Sequence, residues 1–61
     1  MVSAFHKNHF NAIELNRNLK LQLNNEQYEV LVELLDDYTF SQLQAMEKEL
    51  LLALIKLKST K

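Results

Sequence analysis

The sequence predicts a mainly α protein in which one short N-terminal strand precedes two helices. Polar and apolar residues alternate strictly over 18–23, which is the period of a half-buried strand. Apolar residues then recur at intervals of three and four over two segments, as on the buried faces of amphipathic helices. The chain contains no glycine and no proline. Because both are common in hairpins and loops, helices joined by short connections are favoured.

Length and composition predict that two such chains associate as a homodimer. A chain of 61 residues without cysteine has no disulfides, and a monomer of this size buries only about 60% of the surface that it exposes when unfolded. A lone strand leaves backbone hydrogen-bonding groups unpaired, so we expect it to pair with its copy in a second chain. The stretch 50–55 is apolar around the whole helix, which indicates burial on more than one side.

The chain divides into an N-terminal arm over 1–17, flexible or partly ordered, and a strand-helix-helix domain over 18–61 that carries dimerisation and binding. The arm lacks the apolar core of a signal peptide. The longest apolar run has six residues, whereas a membrane-spanning helix needs about 20. We therefore expect a cytoplasmic protein that does not contact the membrane.

The segment 12–23 is compatible with two further structures. Residues 12–15 and 19–23 can pair as a hairpin that turns at 16–18. Leucine, lysine, glutamine and arginine also form helices readily, so the segment can instead be helical. In the helical case the chain is an all-α helical-hairpin dimer.

Helix starts are marked by capping residues. Asn24 or Asn25 is expected to cap the first helix, because asparagine side chains accept hydrogen bonds from free backbone N–H groups. The second helix is expected to begin at one of two overlapping capping boxes, one headed by Thr39 and the other by Ser41. Its apolar positions then recur at helical spacing as Leu43, Met46, Leu50, Leu54 and Leu57.

Charge is unevenly distributed along the chain, whose formal net charge is −1. The first 20 residues carry three basic side chains against the single acid Glu14. In a two-stranded ribbon, Asn18, Lys20 and Gln22 form the outer face, and these side chains suit base edges in the DNA major groove. The sequence therefore places DNA recognition at the strand.

These features resemble the ribbon-helix-helix DNA-binding proteins of the Arc type, which are intertwined dimers. The resemblance implies that Asn18, Lys20 and Gln22 read bases. Arg17 and Lys7 would hold phosphates, together with Ser41 at the start of the second helix, where backbone N–H groups bind anions. The expected dimer core consists of Leu19, Leu21, Leu23, Leu31, Leu35, Met46, Leu50, Leu51 and Leu54.

A second resemblance is to the NblA phycobilisome-degradation proteins, which are short dimeric helical hairpins. It rests on residues 21–23 with 26–28, and on Ser41 with 44–45. This resemblance implies a small adaptor that binds another protein through its helices and does not bind DNA.

Catalytic chemistry is not indicated. His6 and His9 lie three residues apart near Glu14, but histidines near a terminus are more often solvated than metal-bound. The serines have no evident base nearby, and a chain without glycine has no phosphate-cradling loop. We predict a small dimeric transcriptional regulator that binds double-stranded DNA without enzymatic activity, metal or cofactor, with the protein-binding adaptor as the alternative.

Overall fold

The computed structural model describes residues 4–59, which form four helices. These are α1 (Ala4–Leu19), α2 (Asn25–Asp37), α3 (Phe40–Ala45) and α4 (Lys48–Ser59). Helix α2 is central, since α1 and α4 both pack on it, while α3 packs on α1. The predicted N-terminal strand and the ribbon-helix-helix fold built on it are wrong. The all-α class of the alternative fits, although the described range has four helices and not the two of a helical hairpin. Residues 1–3 of the predicted arm and 60–61 of the predicted domain lie outside the described residues.

The segment that was expected to be a strand is the end of α1 and the turn that follows it. Lys20 and Gln22 have positive φ angles of 55° and 56°. The backbone N–H of Leu21 donates to the Asn16 carbonyl at 3.3 Å, the bond that closes a helix after a left-handed residue. The N–H of Gln22 donates to Asn16 Oδ1 at 3.1 Å. Helix-terminal hydrogen bonding therefore replaces strand pairing.

The alternation of side chains is present without a strand. Leu21 is buried, Leu19 and Leu23 are half-buried and pack on the core, while Lys20 and Gln22 are exposed. The two polar residues take the left-handed conformation, which keeps the leucines on the inner side of the turn. A period of two identified the inward side chains correctly but assigned them to the wrong backbone conformation.

Helix α2 begins where the capping signal predicts. Asn24 accepts a hydrogen bond from the backbone N–H of Gln27 at 2.8 Å, and the Gln27 side chain accepts one from the N–H of Asn24 at 3.1 Å. Three consecutive residues of α2, Val30, Leu31 and Val32, are buried. Successive residues differ by about 100° around a helix, so α2 must be covered on more than one side. Helices α1 and α4 provide that cover.

The predicted second helix is divided into α3 and α4. A capping box of Thr39 and Gln42 begins α3, and the chain becomes extended at Met46, with φ −69° and ψ 151°. On one continuous helix, Leu43 and Ile55 would point about 120° apart, yet both are fully buried. The break lets each of them reach the core.

The core belongs to one chain and draws on all four helices. Six side chains are almost completely inaccessible, namely Leu15, Leu31, Leu34, Leu43, Leu51 and Ile55. Ala12 and Leu15 come from α1, within the segment that was expected to be an arm. The predicted arm therefore forms most of α1 and contributes to the hydrophobic core.

Candidate functional site

The outer face of α1 carries apolar and basic side chains that the protein leaves in solvent. Phe10 is 63% exposed and Ile13 is 48% exposed, and Arg17 is exposed one turn further along. Residues at spacings of three and four share one face of a helix. We call Phe10, Ile13 and Arg17 the α1 stripe. Contiguous exposed apolar side chains, unlike scattered single ones, mark binding surfaces, and Phe10 and Ile13 are neighbours on this face.

The opposite face of α1 is attached to α2 through a buried asparagine. Asn8 is 8% exposed, and its Nδ2 donates to Asp36 Oδ1 at 2.7 Å and to the Val32 carbonyl at 3.4 Å. A hydrogen bond to a carboxylate is charge-assisted and stronger than one between neutral groups. Because hydrogen bonds are directional, Asn8 restricts how α1 can rotate on α2.

A second polar link joins the same two helices. The Tyr28 hydroxyl donates to the His9 carbonyl at 2.9 Å, and the two rings lie 5.5 Å apart between centroids. Burial raises the pKa of the Tyr28 phenol, and the neighbouring Glu29 carboxylate raises it further. Since His9 directly precedes Phe10, this bond helps to hold the α1 stripe on the outer side.

At the edge of the stripe, Arg17 Nη1 lies 3.6 Å from Glu14 Oε1. The Arg17 side chain is 71% exposed and that of Glu14 is 32% exposed. An exposed pair at this spacing contributes little to stability. Arg17 therefore keeps a guanidinium available at the surface beside Ile13.

Two grooves with mixed polar and apolar linings lie elsewhere on the surface. One, of about 530 Å³, runs between α1 and the α2–α3 connection and is lined by Lys7, Asn11, Asp37 and Ser41 among others. The other, of about 560 Å³, lies between α2 and the end of α4 and includes Glu26, Glu29, Glu33 and Lys58. Within 4–59, no three histidine, aspartate or glutamate side chains are grouped closely enough to hold a metal ion.

The residues that were expected to contact DNA are all exposed but do not form a single ribbon face. The Nδ2 of Asn18 donates to Gln44 Oε1 at 2.7 Å, which ties the end of α1 to α3. Lys20 and Gln22 lie in the turn after α1, whereas Lys7 lies near the start of α1 and Ser41 in the first turn of α3. The full set of six is Lys7, Arg17, Asn18, Lys20, Gln22 and Ser41.

The residues that were expected to form a dimer core mostly pack within one chain. Leu21, Leu31 and Leu51 are buried. Partial burial against the same core is found for Leu19, Leu23, Leu35, Met46 and Leu54. The exception is Leu50, which is 63% exposed.

Sequence reasoning missed three features of this site: the α1 stripe, the hydrogen bonds of Asn8, and the hydrogen bond from the Tyr28 hydroxyl to α1. The signal for the stripe is present in the sequence, because residues 8, 12, 15 and 19 recur at helical spacing and predict that α1 buries the opposite face. The partners of Asn8 and Tyr28 lie 19 to 28 residues away. Those links depend on how the helices pack, which local spacing does not reveal.

No protein-family model matches the sequence, and neither the curated proteins nor the solved structures yielded a match. None of the helices within 4–59 has the length and hydropathy of a membrane-spanning segment.

Proposed function

We propose that this protein is a small helical adaptor that binds another protein through the α1 stripe. The observation that carries the proposal is the 63% exposure of Phe10 beside the 48% exposure of Ile13. Asn8 and Tyr28 hold the opposite side of the same helix against α2. An apolar surface on a fixed helix loses little conformational freedom when it binds, which favours affinity.

The composition of the stripe favours a protein partner. Aromatic residues and arginine are enriched in protein interfaces, and the α1 stripe combines Phe10 with Arg17. Lys7 and Arg17 are exposed on α1, and Arg17 already lies beside Glu14. The complementary surface is an apolar pocket with acidic residues at its rim.

DNA binding is the competing function, and it has less support than the adaptor. Arg17, Lys20 and Gln22 are exposed around the end of α1, which favours contact with an anion. The exposed acids of α2, however, present the opposite charge: Glu26, Glu29, Glu33, Asp36 and Asp37. DNA affinity rises mainly with the number of phosphates neutralised, so a chain of net charge −1 with an acidic central helix is a poor candidate.

The test compares two matched double variants in extracts of the source cells. One variant is Phe10→Ser with Ile13→Ser, and the control is Leu50→Ser with Leu57→Ser, which alters exposed apolar residues on α4. We expect a protein captured by the wild type and by the α4 variant to be absent from the α1 variant. The purified partner should then bind the α1 variant at least tenfold more weakly in calorimetry. Equal binding by the α1 variant would contradict the proposal.

A DNA titration separates the two functions. In low salt, fluorescence anisotropy with a labelled mixed-sequence duplex is expected to show no binding below about 100 μM, the weak end of ordinary non-specific affinity. Binding that weakens steeply with salt, and that Arg17→Ala and Lys20→Ala both reduce, would favour DNA over a protein partner.

A further inference from the structure

Helix α4 has an apolar face that its own chain leaves uncovered. Leu51 and Ile55 are fully buried on the side toward α2. The other side carries Leu50, which is 63% exposed, and Leu57, which is 74% exposed. Between them lie exposed Ala53 and half-buried Leu54. We call Leu50, Ala53, Leu54 and Leu57 the α4 stripe.

The charges that flank the α4 stripe are divided by sign along the helix. Glu47 and Glu49 lie at the N-terminal end, and Lys56 and Lys58 lie at the C-terminal end, all of them exposed. At about 100° per residue, Glu49 and Lys56 fall along one edge of the stripe. Glu47, which directly precedes the helix, and Lys58 fall along the other edge, where Lys58 also borders the groove that contains Glu29 and Glu33 of α2. Both edges therefore run from acidic to basic.

We propose that a second copy of this chain packs its α4 antiparallel across the α4 stripe. An antiparallel pair brings the acidic end of each helix beside the basic end of the other, whereas a parallel pair would place like charges together. The edge pairs Glu49 with Lys56 and Glu47 with Lys58 share the same midpoint, between Leu52 and Ala53. One two-fold axis at that point satisfies both pairs at once, and a symmetric dimer requires such an axis.

The side chains near the proposed axis suit close contact. Ala53 is small and exposed, so two helix backbones can approach there, while Leu50 and Leu57 of opposite copies meet on either side. The remaining charge of the helix, Lys48, falls on the side away from the α4 stripe. It does not oppose the pairing.

The dimer is expected to be weak because the contact is small. Helix α4 has 12 residues and is about 18 Å long. The smaller specific interfaces bury about 600 Å² on each partner, roughly an eighth of the 4497 Å² that this chain exposes, and a single face of so short a helix lies at the low end of that range. We therefore expect dissociation constants in the micromolar range or weaker. The charges select the antiparallel direction more than they add affinity.

Disulfide trapping tests the direction directly, since the chain contains no cysteine of its own. Leu50→Cys and Leu57→Cys proteins are mixed in equal amounts at several hundred micromolar in a glutathione redox buffer. Both positions face the partner helix, and the mixed 50–57 disulfide should exceed the statistical half of all dimers. In the antiparallel pair, positions 50 of the two copies lie about 7.5 Å apart along the axis, beyond disulfide reach. An excess of either homodisulfide, or a statistical mixture, would overturn the proposal.

The second measurement is sedimentation equilibrium of the wild-type chain and its serine variants, none of which contains cysteine. Leu57→Ser should weaken self-association at least tenfold without lowering the thermal midpoint of the monomer. Phe10→Ser, equally exposed on α1, should leave self-association unchanged. A wild type that stays monomeric at 1 mM would refute the dimer, and loss of association in Phe10→Ser would assign it to the α1 stripe. Partner binding through the α1 stripe is tested separately, with the double variant Phe10→Ser and Ile13→Ser.

Discussion

Helices α1 and α4 both pack on α2 and both carry exposed apolar side chains, but they are held differently. Two directed polar bonds link α1 to α2: Asn8 of α1 donates to Asp36, and the Tyr28 hydroxyl of α2 donates to the His9 carbonyl. Helix α4 places the apolar side chains of Leu51 and Ile55 against the core. Polar bonds require particular geometry, whereas apolar burial is non-directional.

This difference separates the roles that we propose for the two helices. A face held by directed bonds is presented in one orientation, which suits recognition of a specific partner. The α4 stripe lies on a helix that is apolar on its inner side and also on its outer side, with ordered charges at its edges, which suits self-pairing. Exposure alone therefore does not identify a binding role, because the attachment of the opposite face matters too.

The largest expected effect comes from neighbouring leucines of α4. Leu51 is fully buried and Leu50 is 63% exposed. Leu51→Ala should lower the free energy of unfolding by about 2 to 5 kcal/mol, whereas Leu50→Ala should change it by about 0.5 kcal/mol or less at low micromolar concentration. Urea unfolding measures both. Equal losses would mean that Leu50 is also covered in the monomer.

Asn8→Asp tests the polar link of α1. The substitution puts a second carboxylate next to Asp36 and removes the charge-assisted donor, which should cost about 2 kcal/mol or more at neutral pH. Stability should return as pH falls toward 4, because one protonated carboxyl can then donate to the other. Unfolding between pH 4 and 8 measures this effect.

A reciprocal variant serves as the control for that link. Asn8→Asp combined with Asp36→Asn restores one donor and one carboxylate, and it should recover part of the loss at neutral pH. A single Asn8→Asp variant whose stability does not change with pH relative to the wild type would show that the 2.7 Å contact does not form.

Tyr28→Phe should have a smaller effect, because it removes one hydrogen bond, that to the His9 carbonyl. We expect a loss of about 1 kcal/mol below pH 9. The folded-state pKa of Tyr28 is raised above the ordinary value of about 10, so the folded state favours the protonated phenol. The contribution of the hydroxyl is complete below pH 10 and is lost as pH rises through the folded pKa. The difference between wild type and variant should therefore shrink in alkaline unfolding experiments.

Lys20→Gly should produce the smallest effect, and a favourable one. Lys20 has φ of 55°, where a side chain clashes with the backbone and glycine does not. The strain energy relieved in the folded state should exceed the entropic stabilisation that glycine gives the unfolded chain. The free energy of unfolding should therefore rise by about 0.5 to 1 kcal/mol. The control is Asn18→Gly within α1, which should be destabilising because glycine is unfavourable inside a helix and because the hydrogen bond to Gln44 is lost. A destabilised Lys20→Gly would indicate that residue 20 is extended.

Local signals predicted part of this fold. The capping asparagine of α2 and the Thr39 box act through bonds that span three residues, so sequence neighbours determine them. The left-handed turn at Lys20 was not predictable in the same way, because the strand interpretation fits the alternation equally well. The packing of α1 on α2 is not visible in this spacing either, because Asn8 bonds to residues 24 and 28 positions away.

No proline or glycine marks the break between α3 and α4 in the sequence. It shifts the register of the following helix, so that Leu51 enters the core and Leu50 faces outward. Because apolar residues recur at helical spacing from Leu43 to Leu57, the sequence predicted one continuous helix and no change of register. The α1 stripe was overlooked for a different reason, since its residues lay in a segment that was expected to be an arm.

The central claim is that residues 18–23 end a helix within one chain, so that the binding surfaces are helix faces. Isotope-filtered NMR on an equal mixture of labelled and unlabelled protein tests it most directly. We predict contacts between Asn18 and Gln44 within one chain, and contacts between chains only at the α4 stripe. Backbone contacts between the 18–23 segments of two chains would contradict the account and restore a paired ribbon.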